Sequence, residues 1–246
     1  MADLLYTELL KLKRSSMFLL SLIGSALAPL MVVLSSYISM RTHSPDEARI
    51  LFTDLFFDSN LYLSVLIGAP LYGVVTAYLF NREYAEDTLK NLLTIPVPRT
   101  RLLLSKLLLL FFWIMLLAVV AWGLTLVLGS LLGFEGLSGT LVWTALGQFA
   151  AMGALMFALS APVVFTSLLL KNYVPTIVLT IVITLINVMV SNSEYKGLVP
   201  WTAVFDLVYG QVLPKFPVSY SLFAIGITSL GGFAASLIYF RKADIH

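Results

Sequence analysis

The sequence contains no cysteine, which excludes disulfide frameworks, thiolate chemistry and cysteine-based metal sites. Histidine occurs only at His43 and His246, too few for a histidine-built metal centre or a Ser-His-Asp arrangement. Charge is scarce as well. Asp, Glu, Lys and Arg make up 11% of the 246 residues, against about 25% in an ordinary soluble domain. A net charge of +2 is too small to bring nucleic acid into consideration as a partner. The chain has no G-x-x-x-x-G-K-[ST] loop to cradle nucleotide phosphates, no H-E-x-x-H and no G-x-S-x-G elbow. It is therefore expected to carry no cofactor or metal and not to be catalytic itself.

What is abundant is apolar side chain. Hydrophobic residues make up 59% of the chain and mean hydropathy is +0.95, so there is too little polar surface to face water all round. A helix needs roughly 20 mostly apolar residues to cross the hydrocarbon core. Six such stretches occur, at about 17–40, 61–80, 102–128, 141–169, 174–191 and 220–240. The pattern predicts an all-α integral membrane protein with six transmembrane helices, in one membrane domain over 1–246. The first stretch is too long for a cleaved signal peptide, and no small-residue cleavage site follows it. Pro162 in the fourth is tolerable as a kink. Apart from Lys106, which reads with Arg99 and Arg101 as marking the inner boundary of the third span, no clear ionisable residue falls inside a span, and Gln148 and Asn187 read as interhelical hydrogen-bond partners. Small residues at Gly24, Ser25 and Ala28, and at Gly147, Ala151 and Ala154, would allow close approach of a second copy.

Lys and Arg are distributed unevenly over the connecting segments. One side carries Lys11, Lys13, Arg14, Arg82, Lys90, Arg99, Arg101, Lys106, Lys171, Arg241 and Lys242; the other has only Arg41, Arg49, Lys196 and Lys215. The positive-inside rule then puts both termini in the cytoplasm.

Between the spans lie amphipathic pieces. Residues 2–16 read as a helix in the headgroup plane, with Leu5, Tyr6, Leu9 and Leu12 on one side and Asp3, Thr7, Lys11 and Arg14 on the other. Residues 81–101 read as a short cytoplasmic helix. Tyr84, Ala85, Leu89, Leu92 and Leu93 share one face, and Glu83, Glu86, Asp87, Lys90 and Asn91 the other. Pro96 and Pro98 stop it. Residues 41–60 and 192–219 are too apolar for simple connectors. They are expected to dip into the outer interface and to seal that end.

These features together resemble the type-2 ABC exporter permeases, and among them the bacitracin and lantibiotic self-protection permeases. The resemblance runs along the whole chain: an N-terminal elbow helix, six spans, and a loop after the second span. There Arg82-Glu83-Tyr84, Glu86, Thr88-Leu89-Lys90-Asn91-Leu92-Leu93, Pro96, Arg99 and Lys106 resemble the family's coupling-helix pattern. Asp87 stands where the family often has glycine. The resemblance implies a permease subunit of an ATP-driven exporter in the bacterial plasma membrane, expelling an amphipathic antimicrobial peptide. It implies a cytoplasmic ABC ATPase subunit that binds ATP and Mg, and a second copy of the chain or a related permease. It also implies that Glu83, Tyr84, Glu86, Asp87, Thr88, Leu89, Lys90, Leu92 and Leu93 contact the ATPase. Three alternatives stay open: a secondary carrier or channel, which calls for charged midspan sites; an ABC exporter of lipids or drugs; and a membrane-embedded enzyme built on Glu83, Glu86 and Asp87.

Overall fold

In lipid every backbone amide and carbonyl must find a partner within its own segment, so long apolar runs become helices. The computed structural model of the chain describes residues 2–13, 15–42, 49–85, 98–211 and 216–242. Helix α1 is Ala2–Lys13, and α2, Ser16–Thr42, follows it. Helices α3, Phe52–Tyr62, and α4, Gly68–Ala85, are joined through a π-helical turn at Leu63–Ile67. Then come α5, Arg99–Leu131, and the pair α6, Gly139–Leu159, and α7, Ala161–Leu170. The last three are α8, Tyr173–Val190, α9, Pro200–Tyr209, and α10, Val218–Lys242. Among the described residues the only β pairing is one bridge, Leu51 to Glu135. Among the described residues six segments are long and apolar enough to cross a membrane: Ser16–Thr42, Phe52–Ala85, Thr100–Leu131, Gly139–Leu170, Tyr173–Val190 and Val218–Lys242.

The second span differs most from expectation, because it begins at Phe52 rather than near residue 61. The sequence reading places residues 52–60 in the outer connecting segment 41–60. Instead, Asp54 accepts a hydrogen bond from the Leu51 N–H at 2.9 Å and starts the helix. Its 34 residues at 1.5 Å each reach about 51 Å, well beyond a hydrocarbon core of about 30 Å. The fourth span breaks rather than bends. Pro162 sits in the first turn of α7, where its missing N–H is not needed. Ser160 closes α6, its Oγ donating to Phe157 O at 2.6 Å.

Helices α4 and α5 form the middle of the bundle. One buried cluster joins Leu12, Phe80, Leu103, Trp113, Met156 and Phe205, and a second gathers Val33, Phe52, Phe56, Leu63, Phe134 and Phe149. Helices α2, α8 and α10 lie at the periphery and turn rows of large apolar side chains outward, such as Leu19, Ile23 and Leu34, or Phe223, Ile227 and Leu230. Lipid satisfies such faces as well as a protein neighbour does. The small residues of the first span are not outward. Ser25 and Ala28 are fully buried, and α2 packs on α5 within the same chain. They bring two helices of one chain together, a correction to the sequence reading; Gly147 and Ala151 on α6 do face outward.

Candidate functional site at the end of the second span

The last turn of α4 and the first turns of α5 lie side by side, and α5 lies against α1. Counting along α5, Leu102, Leu103, Ser105, Lys106 and Leu110 all point inward. The lysine therefore enters an apolar surround. Its ammonium finds Leu79 O at 2.8 Å, Glu83 Oε1 at 3.1 Å and Glu8 Oε2 at 3.7 Å. The Phe80 ring lies 5.9 Å away. Lys106 and Glu83 are each 4% exposed and Glu8 6%. An ion taken out of water costs several kcal/mol even after relaxation, so such groups are found paired and hydrogen-bonded.

Neighbouring residues fasten the same turn elsewhere. Asn81, fully buried, donates from Nδ2 to Ser167 Oγ at 2.7 Å and to Asn172 O at 3.1 Å, tying α4 to α7 and to the start of α8. The Lys171 ammonium sits 5.5 Å from the Tyr84 ring, and the Arg82 guanidinium 5.6 Å from the Tyr78 ring.

Three sequence readings change here. Glu83 and Lys106, read as interfacial charges, are buried against each other: α4 continues past its apolar run to carry Glu83 inward, and Lys106 points inward from α5. The first helix does not present its apolar side as one surface. Leu5 and Leu12 pack on the core with Glu8 between them, while Tyr6, Leu9 and Leu10 stay exposed. Asn187 is buried, yet neither polar atom of its amide meets a protein partner. Asn81 makes the interhelical bond instead. Of the residues read as contacting an ATPase, Glu83 and Tyr84 are placed as above. Glu86, Asp87, Thr88, Leu89, Lys90, Leu92 and Leu93 lie outside the described residues.

The opposite end has its own polar cluster. Helix α9 starts at Pro200 and ends at Gly210, whose φ of 66° is the left-handed cap that glycine adopts without strain. It packs on α6 and α10. Asp206, 5% exposed, pairs with Lys196 at 2.7 Å, and Thr202 Oγ1 donates to Lys196 O at 2.6 Å. Phe57 of α3 meets the rings of Phe205 and Tyr209 at 5.1 and 4.9 Å, and Asn60 Nδ2 donates to the Tyr209 hydroxyl at 3.1 Å. Between α2 and α4 runs an apolar cavity of about 400 Å³, with Leu20, Gly24, Leu27, Leu66, Pro70 and Leu71 in its wall. Among the described residues no group of three or more His, Cys, Asp or Glu could hold a metal ion.

Among the described residues, six segments long and apolar enough to cross a membrane define a multi-pass, all-α membrane protein. The model of the ABC-2 family transporter proteins matches residues 4–187, and the chain belongs to that family. It is 52% identical over 200 residues to the bacitracin transport permease protein BCRB of Bacillus licheniformis, covering 81% of this chain and 96% of that protein.

Proposed function

We propose that the chain is the membrane subunit of an exporter that expels an amphipathic peptide of the bacitracin type, driven by ATP bound with Mg on separate cytoplasmic ABC ATPase subunits. The relatedness to a bacitracin permease over nearly that protein's whole length carries the substrate reading. The absence of a phosphate-binding loop supports a division of labour in which nucleotide is handled by another chain. The transporter contains two copies of this chain, or one copy with a related permease. The end of the bundle that holds α1 and the Lys106 cluster faces the cytoplasm, in keeping with the Lys and Arg bias.

In this reading residues 86–93 are the coupling helix. Leu89, Leu92 and Leu93 fill a groove of the ATPase as an apolar helix face laid into a slot. Glu86, Asp87, Thr88 and Lys90 meet its rim, and Tyr84 sits at the root. Glu83 serves from within the bundle, through Lys106.

The test is resistance in a bacitracin-sensitive bacterial host. Chain and ATPase subunit expressed together are expected to raise the inhibitory concentration of bacitracin, and neither alone to do so. Resistance from the chain alone would mean a secondary carrier. Unchanged resistance, with lipid or drug efflux in reconstituted vesicles, would move the substrate class.

A further inference from the structure

Replacing a buried ion triad by apolar residues of similar volume is often neutral or stabilising, so packing alone gives no reason for Glu8, Lys106 and Glu83 to be charged. The pieces they join are informative. Leu79 O and Glu83 belong to the last two turns of α4, from which residues 86–97 depart. Lys106 lies two turns into α5, to which that segment returns, and Glu8 lies on α1. An ammonium held between oxygens of separate helices favours one relative placement of those helices, whereas apolar side chains can slide past each other.

We propose that Lys106 is a positioning residue. With Glu8 and Glu83 it makes α1, the end of α4 and the start of α5 one body. A displacement of the 86–97 segment is thereby passed to the first helix as well as to the second and third spans, instead of being absorbed at their junction. This rests on the coupling role proposed above for that segment.

The test uses the chain reconstituted with its ATPase subunit, reading bacitracin transported per ATP hydrolysed. The triple variant Glu8→Gln, Lys106→Met, Glu83→Gln removes these three charges at nearly constant volume. It is expected to fold and assemble, and to lose about tenfold in transport per ATP, within the 5–150-fold range of ordinary site-to-site coupling. Lys106→Met alone removes the ammonium that both buried carboxylates approach and is expected to lower the yield of assembled transporter, which the triple variant restores. A triple variant that assembles and transports per ATP like the native chain overturns the proposal. Should it fail to assemble, Glu8→Gln alone decides: it cuts only the 3.7 Å leg, and a native transport ratio there overturns the proposal equally. If the native chain shows no bacitracin-linked hydrolysis, the function proposed above fails instead. The junction is then tested on the chain by itself, with spin labels at Tyr6→Cys and Leu104→Cys, both exposed positions. A distance distribution no broader in the triple variant than in the otherwise native chain counts against one rigid body.

Discussion

Gly231 and Gly232 are adjacent in α10 and have opposite surroundings. A methyl group at Gly232 would lie 2.7 Å from the main-chain atoms Ala161 C and Pro162 N, where α7 begins, while at Gly231 nothing lies within 4 Å. Main-chain atoms cannot swing aside as a side-chain tip can. Gly232→Ala is therefore expected to destabilise the chain by about 1–3 kcal/mol, the usual cost of overpacking. Gly231→Ala is expected to be neutral or to gain up to about 1 kcal/mol from helix propensity. Denaturation of the two variants in detergent compares them, and equal effects would contradict the packing of α10 on α7. A second residue-scale expectation concerns pH. Burial, the larger cause, and the charge of Asp58 push the Tyr209 phenol from its ordinary value of 10.0 up to about 12, although the Asn60 hydrogen bond pulls the other way. The folded chain thus holds this proton longer than the unfolded chain does. The resulting stability is complete below pH 10.0 and is lost as pH rises through about 12. Tyr209→Phe should flatten that alkaline loss, read as melting temperature against pH.

At the scale of elements, the proposed coupling helix allows two kinds of contact to be ranked. Trimming a leucine buried in an ATPase groove removes apolar burial worth roughly 1.5–3 kcal/mol for the full side chain, and an exposed carboxylate at the rim about 0–1 kcal/mol. Leu89→Ala or Leu92→Ala should loosen ATPase co-purification and substrate-stimulated hydrolysis more than Glu86→Ala does. Leucine variants that keep both at native levels would show that this segment is not the coupling element. The existence of the spans was legible because lipid leaves long apolar runs no alternative to helix. The ends of the second span were not, since a helix continues where its polar residues find partners. Asp54 as a first-turn acid, and Glu83 against Lys106, carried that span beyond its apolar run at both ends. Glu8 was missed because its place between Leu5 and Leu12 matters only once α5 supplies a buried cation. Helix α9 had a visible signature, Pro200 ten residues before Gly210 with apolar residues between, which the reading of 192–219 as a segment dipping into the outer interface passed over.

For the whole molecule, orientation and division of labour are directly testable. With no native cysteine, Lys90→Cys provides a single labelling site, and an impermeant thiol reagent added to intact cells is expected to leave it unmodified. Labelling from outside would invert the topology. The purified chain is expected not to bind ATP at micromolar concentration without an ATPase subunit, which equilibrium binding measures. The contact between Gly232 and the start of α7 also orders events during synthesis. Domains and spans emerge from the N-terminus at about 5–20 residues per second, so the fourth span is made well before the sixth. Until α10 arrives, the start of α7 at Ala161 and Pro162 has no neighbour from the sixth span packed against it. The ribosome thus releases the piece that closes the bundle last. A chain ended at residue 217 would leave its fourth span waiting at the insertion machinery, and pulse-chase labelling should show it degraded while the full chain persists.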